Sequence, residues 1–577
     1  MFKLLKYFKW YDWIGLLFVF GLTVAEVHCD LKLPEYMVKI LSSIGQGTDE
    51  VWKYGGMIML YVTISVVIMI VISFLSSLIS SGFSMRLRNR FFNKVGEFSM
   101  AEINKFSTAS LITRSTNDIV QVKQLLMMLM RMFMYAPVMA VYALVKITAT
   151  NAPLTWTTFG FVAIMFLFIG VIMALVIRKF MLMQKQTDEL NGVARENLTG
   201  IRVVRANNAE KYQEDKFKKV NDKLTSTTLY TSRVTAFLFP GMQLIMNGLN
   251  LALYWIGANF IGNAQDFLSV SEFSQYAGQV LMSFLIVSVL FVLIPRASVS
   301  AKRVNEVLDT QPSIKSGTLK PELVQNGGTI EFKNVSFKYP GAEECVLKNI
   351  NFSVKAGEIV AFIGTTGSGK STLFNLLARF YDATEGSICV DGIDIKEYKF
   401  SALNDRLGYI PQKSYLFAGT IAENVAYGVP DASQEEIYDA LETAQANDFV
   451  EQLNGKLEFF VSQGGKNLSG GQRQRVSIAR AIIKKPEILM FDDSFSALDY
   501  KTDKALTTAL SQKCKHMTKL IVAQRIGTIL NADKIIVLDS GQIVGSGTHD
   551  ELMQNCETYK NIALSQLSEE ELSHGRK

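Results

Sequence analysis

Gly364-Thr365-Thr366-Gly367-Ser368-Gly369-Lys370-Ser371-Thr372 decides the fold of the second half of this chain. It follows Glu358–Gly364, an apolar run that reads as a buried strand, and precedes a helical pattern from Leu373 to Phe380. Glycines at these spacings let backbone N–H groups converge on phosphate, and the helix behind them turns its positive end to the same anion. Lys370 would reach the β- and γ-phosphates, and the Ser371 hydroxyl would sit on Mg²⁺. ATP and Mg²⁺ are therefore the expected cofactors. Downstream, Ile488-Leu-Met-Phe-Asp492 is an apolar strand that ends in an acid suited to the Mg²⁺ shell. Thr329–Tyr339 alternates as a strand should. The expected soluble part is an α/β phosphate-loop nucleotide-binding domain over 328–577, joined through a polar linker at 311–327.

Outward from this domain, the composition changes. The 577 residues are 49% hydrophobic and 19% charged, with 59 Lys and Arg against 53 Asp and Glu, a net charge of +6; mean hydropathy is +0.19. Length suggests three or four domains. A disordered chain needs low hydrophobicity and high charge, so disorder is excluded. With 40 Gly and 11 Pro and no short repeat, a collagenous chain is excluded, and five sparse cysteines argue against a disulfide scaffold. The small net charge provides no case for nucleic acid.

The charge is absent from long stretches of the first 310 residues. Met57–Met85, Ala152–Ile177, Val234–Gln265 and Phe273–Pro295 carry none, over 29, 26, 32 and 23 residues. About 20 apolar residues cross the hydrocarbon core as a helix. Leu125–Val145 is as apolar except for Arg131, and the weakest run is Trp13–Ala25. Six transmembrane helices are expected over 1–310, led in by an amphipathic interfacial helix at residues 2–10. Loops rich in Lys and Arg stay inside. Residues 84–120 hold six basic side chains and 178–235 hold twelve, while the connections at 149–154 and 262–271 hold none. Both termini and the nucleotide domain are thus expected in the cytoplasm, with spans two to five continuing inward as helices.

Polar residues in or near these spans are functional candidates: Arg131 and Asn247 inside them, and Glu26, His28 and Asp30 at the end of the first. Adjacent His28, Cys29 and Asp30 make poor metal-chelating geometry. Leu125-Leu-Met-Met-Leu-Met130 could line an adaptable apolar cavity.

Between the two phosphate motifs lies Leu468-Ser469-Gly470-Gly471-Gln472, a far more specific segment. With it, the chain resembles the ATP-binding cassette exporters in their half-transporter form, six membrane helices of the exporter (type IV) kind followed by one nucleotide domain. The resemblance implies that Leu468–Gln472 is the signature motif closing over the partner's ATP, that Tyr339 stacks on adenine and that Asp499 belongs to the D-loop. It implies that Gln412 senses Mg²⁺ with Ser371 and Asp492. It places coupling helices near 106–120, where Arg114–Asp118 lies, and near 205–217, after Gly200–Ala206.

Two positions depart from that pattern. The family places a glutamate after the Walker B aspartate, and here stands Asp493; it places a histidine at the γ-phosphate, and here stands Gln524. Aspartate is one methylene shorter, so its carboxylate falls ~1.5 Å short, and a misplacement of ~1 Å can cost ~10²-fold in rate. Glutamine can donate a hydrogen bond but carries no imidazole charge. The expectation is a site that binds ATP and hydrolyses it poorly. That points to one half of a heterodimeric exporter, with the degenerate site here and the signature motif serving the partner's competent site. A slow homodimeric exporter or lipid flippase, and an ATP-gated channel or regulatory sensor on the same scaffold, are the alternatives. Amphipathic drugs, as in multidrug resistance, then lipids, then peptides are the expected substrates, and the bilayer is a bacterial plasma membrane.

Overall fold

The apolar runs form helices longer than any bilayer requires. In the computed structural model, which describes residues 2–44, 48–148, 152–260, 264–322 and 327–566, the second membrane helix spans Thr48–Gly96, 49 residues. At 1.5 Å per residue that is about 74 Å, against about 30 Å of hydrocarbon core. The chain divides into two compact units: Met1–Gly96 with Thr108–Thr310, and Glu97–Ser107 with Gln311–Lys577.

Among the described residues of the first unit, five helices are long and apolar enough to cross a membrane: Trp10–Ser43, Thr48–Gly96, Thr108–Thr148, Pro153–Thr199 and Glu210–Gly257. A sixth, Ala264–Asp309, is continuous over 46 residues and contains the apolar run at 273–295. The first, weakest in sequence, qualifies despite Pro34. Only 6% of the most apolar window of the second is buried, and side chains such as Met59, Ile70 and Phe74 point outward. An apolar face of that extent fits lipid rather than water. Val27, Leu31, Met139, Leu249, Phe273 and Val280 close the helices on one another. The fifth helix breaks at Phe237, three residues before Pro240, whose missing N–H suits a helix start.

The lead-in to the first helix differs from expectation. Residues Phe2–Tyr7 form a single 3-10 stretch, with Leu4 and Phe8 buried, and Phe8 meets Phe83 edge-on at 5.0 Å. Asp12 closes the helix start by accepting from the Lys9 N–H at 2.8 Å and pairs with Arg86. In the carboxyl-terminal half of the first helix, Asp30 accepts from Ser65 at 2.7 Å and Tyr135 at 2.8 Å, and His28 Nδ1 lies 2.9 Å from the Tyr142 hydroxyl. Arg131 sits in a π-helical turn, Leu129–Phe133, and Asn247 accepts from Gln243 at 3.4 Å. The connections at 149–154 and 262–271 and the linker at 311–327 lie partly outside the described residues.

In the second unit, a four-stranded antiparallel sheet orders β2 (Leu347–Val354), β1 (Ile330–Phe337), β4 (Glu385–Val390) and β5 (Ile393–Asp394). A six-stranded sheet runs β12 (Gln542–Gly547), β11 (Lys534–Asp539), β3 (Ile359–Gly364), β10 (Thr518–Val522), β9 (Ile488–Asp492) and β6 (Leu407–Ile410). A two-stranded ribbon pairs β7 (Gly419–Thr420) with β8 (Phe460–Val461). From β11 to β6 every pairing in the larger sheet is parallel. Strands buried on both faces read as unbroken apolar runs, and β9 and β10 are buried at every residue. The short helix Met100–Phe106 belongs to this unit: Asn104 donates to the Tyr381 hydroxyl at 2.9 Å, Glu102 accepts from the Ser313 N–H at 3.2 Å, and Ala101 packs on the core. The segment joined to the nucleotide domain is thus 97–107, ahead of the expected 106–120. Arg114 instead bonds Arg303 and Glu306 within the membrane unit. Ile201–Ala206 forms a short helix between the fourth and fifth helices, also within the membrane unit.

Candidate nucleotide site

Three neighbouring parallel strands deliver the site. β3, β10 and β9 lie side by side, with Val522 in register with both Phe362 and Asp492. Their carboxyl ends therefore place the phosphate loop, Gln524 and Asp492–Asp493 in one crevice, where open α/β sheets bind ligands. The loop backbone demands its glycines. Gly364 has φ +155°, and a Cβ there would lie 2.0 Å from the Leu538 carbonyl oxygen; Gly369 has φ +99°, with a Cβ 2.5 Å from Leu347. Gly367 is also left-handed. Ser368 N donates to the Thr365 carbonyl at 3.2 Å, and Thr366 sits at the exposed crest.

Lys370 begins the helix Lys370–Leu377 and folds its ammonium onto the Gly364 and Thr365 carbonyls at 2.8 and 2.7 Å. Burial lowers its pKa, and Asp493 and Asp492 push it back up. Ser371 Oγ donates to Asp492 Oδ1 at 2.7 Å. A hydroxyl and a carboxylate at that spacing are hard oxygen donors of the type Mg²⁺ takes. The Tyr409 hydroxyl, at 3.4 Å, occupies the other Asp492 oxygen. Burial raises the Asp492 carboxyl, and the Ser371 and Tyr409 hydroxyls oppose it.

The corner holding the two unusual residues is more tightly knit. Asp493 has φ +51°, the left-handed region that non-glycine residues visit mostly where function or packing holds them. Its N–H donates to the Val522 carbonyl, and its Oδ2 accepts from Gln412 Nε2 at 3.1 Å and from Gln524 Nε2 at 2.7 Å. Burial raises this carboxyl too, countered by Gln412, Lys370 and Gln524. Gln412 thus lies on Asp493.

Tyr339 is tethered to Thr372 at 3.1 Å and meets Tyr381 edge-on at 5.2 Å. Ser469 caps the helix Gly470–Ile482 in a reciprocal pair: the Ser469 N–H donates to Gln472 Oε1, and the Gln472 N–H donates to Ser469 Oγ. Leu468 is buried beneath it, Gly470 has open space where a Cβ would be, and Gly471 faces the Ala497 carbonyl. Asp499 caps Tyr500–Lys513 through Thr502. The signature and D-loop residues therefore stand at helix starts within this unit. Sequence reasoning missed Tyr409, and it missed that Gln412 and Gln524 meet on one carboxylate oxygen.

Residues 347–496 match the ABC transporter family model, and residues 16–294 match the ABC transporter transmembrane region model. An uncharacterized ABC transporter ATP-binding protein of Mycobacterium tuberculosis is 40% identical over 553 residues, covering 94% of each chain. The chain is an ABC transporter. A second relative, the uncharacterized ABC transporter ATP-binding protein YfiB of Bacillus subtilis, is 35% identical over 577 residues, 98% of this transporter and 99% of that protein. An ATP-dependent lipid A-core flippase of Haemophilus influenzae is 35% identical over 390 residues, 67% of this transporter and 66% of the flippase. The transporter shares its fold with a solved bacterial Atm1-family ABC exporter with ATP bound, at a TM-score of 0.81 and 24% identity over 97% of this chain and 98% of that one. It is a multi-pass membrane half-transporter of the exporter fold, one membrane region and one ATP-binding domain in a single chain.

Proposed function

We propose that this chain is the degenerate-site subunit of a heterodimeric ATP-driven exporter of amphipathic compounds. The observation that carries the reading is Asp493 Oδ2, which accepts both Gln412 and Gln524. A general base needs an oxygen free to face water and take its proton. The two amide N–H groups occupy Oδ2 and oppose the rise that burial gives this carboxyl, and neither amide can relay a proton.

The binding parts support ATP in this site. Lys370 and the loop N–H groups would hold the phosphates, and Tyr339 would face adenine. Ser371 and Asp492 would hold Mg²⁺, and Gln412 would contribute to its shell; when bound, the ion screens phosphate charge. Ser469, Gly470 and Gly471 would close over ATP on the partner, whose own site performs the faster hydrolysis. Two clamped ATP molecules would shift the transporter toward its outward-facing state, because a ligand shifts an equilibrium by its differential affinity for the two states. Both termini lie in the cytoplasm in this reading, and the membrane is bacterial. The flippase among its relatives favours lipid-like substrates.

The test is ATP turnover in proteoliposomes, by this chain alone and with a co-purified second half-transporter. The reading expects little turnover alone, turnover by the pair, and loss of the pair's activity on Ser469→Arg here. Full turnover by the chain alone makes it a homodimer with Asp493 as a working base.

A further inference from the structure

The backbone of the segment that carries Gln524 is held from the far end of the chain. Gln566 Oε1 accepts from the Ile526 N–H at 2.9 Å, and Gln566 Nε2 donates to the Gln524 carbonyl at 2.7 Å. One side-chain amide thus bridges both sides of Arg525, pairing with main chain as a neighbouring strand would. Ile526 starts the short helix Ile526–Ile529, and its N–H has no partner within that helix. Forty residues separate Gln566 from Ile526, so local chain geometry does not bring them together.

The support behind Gln566 is firm. It lies two residues past the helix Glu557–Leu564, whose Tyr559 and Ala563 are buried in the same core as Ile526 and Ile529. The Tyr559 hydroxyl is fixed by His549 Nδ1 at 2.7 Å, and the Gln566 N–H donates to the Ala563 carbonyl at 3.1 Å. Gln566 itself is exposed; its two bonds, rather than packing, are what it contributes.

We propose that Gln566 is a positioning residue for the γ-phosphate: by clamping the main chain across Gln524–Ile526, it sets where the Gln524 amide stands. A clamp is needed there because a side chain reaching for phosphate inherits every shift of its own backbone, and about 1 Å of misplacement matters. The proposal rests on Gln524 facing the γ-phosphate, and not on the hydrolytic site being impaired.

The experiment is equilibrium binding of ATP and of ADP, with Mg²⁺, to the full chain in lipid nanodiscs, together with its thermal midpoint. Gln566→Ala is expected to lower the preference for ATP over ADP by about threefold or more, one lost hydrogen-bonding group's worth, with ADP affinity and thermal midpoint unchanged. Gln566→Glu keeps the acceptor for Ile526 but sets a carboxylate against the Gln524 carbonyl, so its loss should equal or exceed that of alanine. An unchanged ATP preference in both variants, with Gln524→Ala lowering it, overturns the clamp. A joint loss of ATP, ADP and thermal stability also overturns it, because that is a folding role. If Gln524→Ala itself leaves the preference unchanged, the proposal falls through its premise; turnover, the measure of the heterodimer reading, is untouched by that result.

Discussion

Two sides of one nucleotide site differ in what their residues leave free. On the phosphate-loop side, Ser371 and Asp492 are paired at 2.7 Å and Lys370 rests on the loop carbonyls, a set of groups of the kind that phosphate and Mg²⁺ would take. On the opposite side, Asp493, Gln412 and Gln524 point at one another. The first arrangement is suited to binding; the second commits one carboxylate oxygen, Asp493 Oδ2, to two amides of the protein. A site can therefore keep its affinity and lose its chemistry through side chains that still fit well together.

The largest effect that sharpens this contrast is on the first side. Lys370→Ala should cost about 100-fold or more in ATP affinity, since charge-assisted bonds to phosphate are lost; binding of a fluorescent ATP analogue to the purified chain reads it. Next comes the other side: Asp493→Glu with Gln524→His should raise this chain's turnover by about 10²-fold, with either change alone giving much less, because the Asp493 oxygen and the Gln524 amide bond each other. Additive single effects would break the idea of a mutually satisfied pair.

A smaller effect concerns pH. Burial raises the Asp493 carboxyl, so near neutral pH its charge weighs against folding, and that cost is relieved as pH falls through the raised value. Asp493→Asn should be neutral or slightly stabilising at pH 7, with the advantage shrinking as pH falls toward the ordinary carboxylate range, in thermal melts at several pH values. The smallest effect is expected of Tyr409→Phe, whose 3.4 Å bond to Asp492 is long: about twofold in the Mg²⁺ dependence of ATP binding.

Much of this was legible in the residues. The phosphate loop, the acid-ended strand and Leu468–Gln472 are local patterns, each needing only a few neighbours along the chain. The weak first span was legible as well, because a helix of mostly apolar residues tolerates Asp30 where Ser65 and Tyr135 donate to its carboxylate. What was hidden depends on distant chain meeting. Ser99–Phe106 is tied to the nucleotide domain by Tyr381 and Ser313, far along the chain, and by Ala101 on its core. Gln412, Asp493 and Gln524 were each named, but their bonds depend on the ends of β6, β9 and β10 converging. Gln566 lies on a polar turn of no particular pattern and is found only through its contact with Gln524 and Ile526.

The 49-residue second helix, which contains no proline, behaves as a stiff rod. A tilt of about 5° about one end carries the other end about 6 Å over its ~74 Å length. An angular change too small to disturb side-chain packing at the pivot becomes, at the tip, the width of a side chain. Length alone thus converts rotation into displacement, and shortening the rod by whole turns would reduce the stroke in proportion.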